Sequence, residues 1–239
     1  MSMIEISIAN SLQESFPAIS VAALRVSIED TTVLRGICAS LTAELGELKS
    51  QVIQADPITD IPEITAWRQV YAQTGVKPSK YYSSIESLLR RLKKDQDFAT
   101  GLAIVDFYNL VSVLCKAPIG AYDVAKLPKP NINLRFSKPQ SDTFDPLGGD
   151  SENFPLNAQL PVYAVEDSIV CWGFNTRDSK LVCVDDQTKD VLFFSESALQ
   201  GHQHIPIRTM ASLATYLDNT PVKVSKPLYL NSKNSSGKI

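Results

Sequence analysis

Residues 104–114 (IVDFYNLVSVL) constrain the fold more than any other stretch, because apolar residues occupy nearly every side of the segment. A helix with that pattern is buried all round instead of lying amphipathically on a surface. Only Asp106, Asn109 and Ser112 interrupt it, and at about 100° per residue their spacing of three sets them along one slowly drifting stripe. Buried polar groups are costly unless hydrogen-bonded, so the stripe either bonds to neighbouring backbone or lines a wet cavity. Ala117-Pro118-Ile119-Gly120 follows. The proline stops the helix, and the glycine is expected to permit a turn that throws Tyr122 and Asp123 back toward the helix end.

Upstream, residues 3–8 and 19–28 read as strands, paired as a hairpin or adjacent in a sheet. Asp30 or Thr31 caps a helix that keeps Val33, Leu34, Ile37, Leu41, Leu45, Leu48 and Val52 on one face. A further helix over 63–73 buries Trp67, Val70 and Tyr71, and Gly75 ends it. Ser83-Ser84-Ile85-Glu86 is a capping box, in which Ser83 accepts from the Glu86 amide while the glutamate side chain reaches back. Downstream, 131–136 is a strand delivering Arg135, and 137–159 is a Pro/Gly/Asp/Ser-rich loop. Strand signals at 161–165, 169–174, 180–184 and 190–194 then follow at short intervals and read as an antiparallel meander. A helix over 206–217 closes the domain. Helices first and a meander later make the class α+β, a single domain over 1–229 with a flexible tail at 230–239.

With 239 residues, 44% of them hydrophobic, the chain can bury a full core. No apolar run approaches ~18 residues, and the N-terminus lacks the basic start and apolar centre of a signal peptide, so a soluble cytoplasmic protein with no membrane partner is expected. Cys38, Cys115, Cys171 and Cys183 form no C-x-x-C pair, and His202 and His204 lack a third ligand nearby. Reduced thiols, a surface histidine loop and no metal site are therefore expected. There is no nucleophile elbow, P-loop or dinucleotide fingerprint.

Net charge is -3, but its distribution is uneven. From Lys77 to Lys138 there are 11 Lys and Arg against 5 Asp and Glu, whereas Pro139 to Asp190 has 3 against 10. The basic half includes Lys77, Lys80, Arg90, Arg91, Lys93 and Lys94. The last four either complement the end of their helix or, with the first two, contact phosphates. Asn175 to Ser179 is a polar turn whose Arg177 either pairs with a nearby acid or holds an anion.

The run IVDFYNLVSVLCKAPIGAYDVAKL resembles the helix, turn and following passage of the tRNA-binding and editing domain in the beta subunit of phenylalanyl-tRNA synthetase. The resemblance extends through Gly75-Val76-Lys77-Pro78, 84–91, Ile132-Asn133-Leu134-Arg135, Pro146-Leu147-Gly148-Gly149 and 188–194, about residues 60 to 200 in all. It implies a free-standing relative of that domain, not a full synthetase, whose partner is aminoacylated tRNA. The implied activity is trans-acting hydrolysis of misacylated aminoacyl-tRNA without a cofactor, by positioning water and polarising the ester. It also implies catalytic roles for Asp106, Asn109 and Ser112. Gly120, Tyr122, Asp123, Arg135, Asn175, Arg177, Thr188 and Glu196 would surround the substrate, and Lys77, Lys80, Arg90, Arg91, Lys93 and Lys94 would hold tRNA.

Two positions depart from the pattern. Gly120 stands where the family carries histidine, and the family's pocket glutamate falls on Phe194, with Glu196 two residues further on. Both bear on tyrosine specificity and leave hydrolysis of another aminoacyl ester open. The alternatives are a non-catalytic tRNA or RNA-binding module and an amino-acid sensor using the same pocket.

Overall fold

The computed structural model describes residues 2–96 and 99–239. Its first strand, β1 (Glu5–Ile8), and its second, β2 (Ser20–Ser27), do not pair. A short helix between them, α1 (Asn10–Ser15), redirects the chain so that the two strands enter different sheets. Leu12 is the only residue this helix buries, too little for its polar sequence to reveal.

Four helices follow: α2 (Thr32–Gln54), α3 (Pro62–Gln73), α4 (Ser84–Lys93) and α5 (Ala103–Cys115). Leu34, Leu41, Leu45, Leu48 and Val52 line the buried face of α2, as their spacing predicts. Pro62 opens α3, where its missing N–H costs nothing. Ser83 Oγ accepts from the Glu86 amide at 3.2 Å, the first half of the predicted box. The second half differs. The carboxylate of Glu86, 1% exposed, holds Arg68 at 2.7 Å and Arg90 at 2.8 Å, because three charge-assisted bonds from two guanidiniums outweigh one to a neutral amide.

The remaining elements are β3 (Gly120–Asp123), β4 (Asn131–Phe136), β5 (Pro161–Val165), β6 (Ser168–Trp172), β7 (Arg177–Asp178), β8 (Asp190–Ser197), α6 (His204–Leu217), β9 (Lys223–Val224), β10 (Leu228–Asn231) and β11 (Ser236–Lys238). The first sheet runs β11-β1-β4-β5-β6-β7, with β1 and β4 parallel. The second runs β10-β2-β8-β3, with β9 beside β2, and all its pairs are antiparallel. One hydrophobic cluster joins both sheets to the helices. No helix among the described residues is long and apolar enough to cross a membrane.

The α+β class stands, but the meander is shorter than expected. It ends with the two-residue β7; residues 180–182 form a 3-10 turn in which Ser179 Oγ accepts from the Leu181 amide at 3.2 Å. The next strand, β8, leaves for the second sheet and lies between β2 and β3, buried at every residue but Asp190. Strand periodicity cannot say which sheet a strand joins. The expected tail is also corrected. Its residues pair: Leu230 lies opposite Val21, Gly237 opposite Ile6, and Ile239 exchanges backbone bonds with Ile4 at 2.8 and 3.0 Å. Ladder bonds need backbone groups and not apolar side chains, so a polar sequence can still close a sheet edge.

Arg135 does not point to a pocket. It forks onto Asp142 at 2.7 and 2.8 Å and donates to Phe136 O and Glu166 O, stapling β4 to the following loop and to the β5–β6 turn. The two side chains are 10% and 0% exposed. Asp142→Ala should therefore leave a buried guanidinium unpaired and cost about 3–5 kcal/mol in urea unfolding, while an apolar pair at both positions recovers most of the loss. A loss below about 1 kcal/mol would mean the pair is effectively a surface one.

Candidate functional site

Between the β3–β8 edge of the second sheet and strands β5 to β7 of the first lies a cavity of about 20 Å³. Its polar walls are Ser84, Tyr122, Tyr163, Asn175, Asp178 and Glu196, with Gly120 and Cys171 among the rest. Such a space holds one water molecule.

The end of α5 delivers the first wall. Lys116 adopts the left-handed conformation (φ 51°) that terminates the helix. The Ala117 amide bonds to Ser112 O at 3.1 Å, and Ser112 Oγ donates to Ala117 O at 2.5 Å. The turn expected at Gly120 is thus made at Lys116, and Gly120 is the first residue of β3, opposite Phe194. What distinguishes this glycine is room: a Cβ there would lie 3.8 Å from Tyr122 Oη and 4.0 Å from Asp178 Oδ1.

A second turn delivers Asn175. Strand β6 ends at Trp172, two residues earlier than expected, because Gly173 and Phe174 are both left-handed (φ 65° and 60°). For a bulky residue this is a genuine outlier, costing about 1–3 kcal/mol. The Phe174 ring is held edge-on by Phe16 and Trp67, each at 5.7 Å. Asn175 then makes three side-chain hydrogen bonds. Its Oδ1 accepts from Tyr71 Oη at 3.1 Å and from the Ser84 amide at 3.2 Å, while Nδ2 donates to Glu196 Oε1 at 2.7 Å. Tyr163 Oη donates to the other oxygen of Glu196 at 2.9 Å.

Desolvation pushes the Glu196 carboxyl up to about 7, against the hydrogen bonds from Asn175 and Tyr163 and with a further push from Asp178. Desolvation also raises Asp178 to about 6, opposed by Cys171 and Arg177, although the residue as a whole is only half-buried. Burial drives Cys171, Tyr122 and Tyr163 well upward, so the thiol is no nucleophile and the phenols keep their protons as donors.

Of the residues expected around the substrate, Gly120, Tyr122, Asn175 and Glu196 meet at this cavity. The helix stripe does not join them. Asp106 accepts from Thr100 N and Oγ1 at 2.5 and 2.8 Å beside a separate groove against α2, Asn109 is half-buried outside the lining, and Ser112 is spent on Ala117. The expectation that one cavity gathers Asp106, Asn109, Ser112, Tyr122 and Asp123 is not met, because local bonding has claimed the polar groups. Asp123 accepts from Thr188 Oγ1 at 2.8 Å and from the Ala125 amide at 2.9 Å, fastening the loop before β8. Arg177 donates to Leu147 O at 3.1 Å and lies 5.4 Å from the Phe154 ring centre.

Asp178, Tyr163 and Ser84 were not singled out as pocket residues. Asp178 lies in the polar turn that the sequence marks, but nothing local shows that it faces Glu196. His202 borders a smaller cavity of about 10 Å³ shared with Glu63, Lys116 and Glu196, and His204 is exposed. Among the cations, Arg90 lies 4.6 Å from the Tyr82 ring centre and Lys80 4.9 Å from that of Tyr81, while Lys93 pairs with Asp56 at 3.1 Å.

Fold and site thus define an α+β protein with a small polar cavity walled by two buried-edge carboxyls. The chain belongs to the B3/4 domain family, whose model matches residues 66–215 and so includes every residue of the cavity. The relationship read from residues 60 to 200 is therefore the one found. Among solved structures, the chain is similar to an N-terminal fragment of the phenylalanyl-tRNA synthetase beta-subunit from Pyrococcus horikoshii, with 12% identity and a TM-score of 0.43. The match covers 92% of this chain and 49% of that one, so the chain spans about half its length. No curated protein matches.

A raised carboxyl makes stability depend on pH. Between 4.5 and about 7 the unfolded chain has released the Glu196 proton while the folded protein still holds it, so stability falls as pH rises through that window and levels off above it. Urea midpoints across pH 4.5 to 7.5 should decline more steeply in the native protein than in Glu196→Gln. Identical slopes would remove Glu196 as their source.

Proposed function

We propose that this protein deacylates misacylated aminoacyl-tRNA in trans. The observation that carries this reading is the convergence on one polar cavity of Gly120, Tyr122 and Glu196, picked out in or beside the family pattern, and of Asn175, picked out in the polar turn after β6. The ester bond is intrinsically labile, and a site that orients it beside a water supplies much of the necessary acceleration. Tyr122 remains a protonated donor at neutral pH and is the proposed hydrogen-bond partner of the developing oxyanion. The Gly120 side, where no side chain intervenes, is the proposed way in for the acyl end. Asp106 and Ser112 support this chemistry indirectly, by bonding at the two ends of α5.

A deacylation screen over a panel of misacylated tRNAs, run beside a no-enzyme control, tests the reading. At least one substrate should be hydrolysed above the control. Tyr122→Phe should cost on the order of 10- to 1000-fold in turnover, whereas Asn109→Ala should stay near the native rate. A pH–rate inflection near 7 should persist in the His202→Ala/His204→Ala variant, because Glu196 titrates there. Absence of hydrolysis across the whole panel would leave a binding module or amino-acid sensor.

Lys77, Lys80, Arg90, Arg91, Lys93 and Lys94 are the proposed tRNA backbone contacts. Arg90 and Lys93 also secure Glu86 and the segment at Ala55 and Asp56, so removing them confounds binding with folding. Lys77→Gln/Lys80→Gln/Lys94→Gln avoids this. It should weaken all tRNAs alike and flatten the salt dependence, because phosphate contacts carry no sequence information. Unchanged affinity and slope in an electrophoretic titration at two salt concentrations would remove the three lysines from the interface.

A further inference from the structure

We propose that the Asp178–Glu196 cavity is a receptor for a primary ammonium group, so that its ligand carries a free α-amino group and an N-acylated ligand is refused. The ester part of that ligand rests on the deacylase reading; the ammonium part does not.

The cavity admits one water-sized group, and a –NH3+ head has about those dimensions. An acetylated nitrogen carries a further carbonyl and methyl, for which no room exists.

Donors and acceptors in the walls are also unbalanced. The Tyr163 hydroxyl gives its hydrogen to Glu196, and the Asn175 amide gives one of its two. What the walls still offer is mostly acceptors: the Asp178 carboxyl from the first sheet, the remaining lone pairs of Glu196 from the second, and hydroxyl oxygens. The Ser84 hydroxyl is buried and has no hydrogen-bond partner, although Ser84 lines this same cavity. An orphaned buried hydroxyl calls for a partner that the protein itself does not supply. An ammonium group has three donors and no acceptor, so it complements this set. A carboxylate set between the two carboxyls would be repelled by both, and a methyl group there would leave Ser84 unsatisfied.

Two carboxyls facing one small space repel each other, and desolvation holds both above their ordinary range. A cation between them relieves both costs. Gly120 supplies the opening: with only a hydrogen on its Cα, it leaves the space over Tyr122 Oη and Asp178 Oδ1 clear for the carbon that bears the amine.

Glycinamide and N-acetylglycinamide are the probes, titrated at pH 7 and followed by calorimetry and by NMR shifts of the cavity residues. Glycinamide should bind roughly ten- to a hundredfold more tightly than its acetylated form, the weight of one charge-assisted hydrogen bond. Asp178→Asn and Glu196→Gln should each lose a similar factor. Gly120→Val guards against misfolded acid variants. Its first added carbon makes only ordinary contacts, circular dichroism checks that the fold is kept, and glycinamide should no longer bind once the opening is filled. Equal affinity for the two probes, or no glycinamide binding at millimolar concentration, would overturn the receptor.

The two readings fail separately. Hydrolysis of N-acetylaminoacyl-tRNA as fast as of the free form would overturn the ammonium site and leave the deacylase standing. Glycinamide binding with no hydrolysis anywhere on the panel would do the reverse.

Discussion

The carboxylate of Glu196 is the point on which the two sheets depend. It is 2% exposed, sits on the central strand of the second sheet, and accepts from Tyr163 on the first sheet and from Asn175 in the turn after β6. Asn175 carries the connection on to Tyr71 of α3 and to the Ser84 amide at the start of α4. Thr176 Oγ1 donates to Tyr71 Oη at 2.8 Å and completes the chain of bonds. A buried acid with its partners satisfied rigidifies its surroundings; partly satisfied, it is expensive. Strands β5 and β8, the turn after β6 and helices α3 and α4 are tied to this group directly or through Asn175, so the geometry that makes much of the site also holds the halves of the fold together.

The local conformations nearby follow from that requirement. A left-handed Phe174 is unfavourable by itself, and a strand running straight past Trp172 would avoid it. It would also carry Asn175 away from Glu196. The aromatic contacts of Phe174 with Phe16 and Trp67 offset the backbone cost, so a packed core far from solvent stabilises a strained turn at the site. Glu86 plays a comparable part on the helical side. Buried between Arg68 and Arg90, it binds α3 to α4 and fixes the end of α4 that carries Ser84. That cluster has two guanidiniums for one carboxylate, so the surface beside α4 stays positive even though its acid is neutralised.

Much of this was legible in the sequence, and the reason is local. Residues 104–114 are apolar all round, and they form a helix with Phe107, Val111, Ser112 and Val113 buried. The spacing in α2, the Ser83 cap and the sites of β4 and β5 follow the same logic, since periods of 3.6 and 2 are written into neighbouring residues. The order of motifs from Gly75 to Phe194 was enough to identify the family. Of the pocket residues, Gly120, Tyr122 and Glu196 were reached through that order, and Asn175 through the polar turn that follows β6.

What only the tertiary structure decided are the partners of groups distant in the chain. Strand β8 looks like any other strand, yet it joins β2 and β3 instead of β7, because a buried strand does not encode its neighbours. The polar C-terminus closes both sheets through backbone bonds that side-chain character does not announce. The polar stripe of α5 was visible as a stripe, but whether it met a cavity or its own helix ends depended on Thr100 and Ala117. Tyr71 and Asn175, 104 positions apart, and Tyr163 and Glu196, 33 apart, meet only when two sheets and a helix have packed. The sequence by itself determined the elements, the core and the family, since those rest on residues a few positions apart. The cavity, its paired acids and its orphaned hydroxyl came from packing, since a hydrogen bond specifies where two groups meet and not how far apart they stand along the chain.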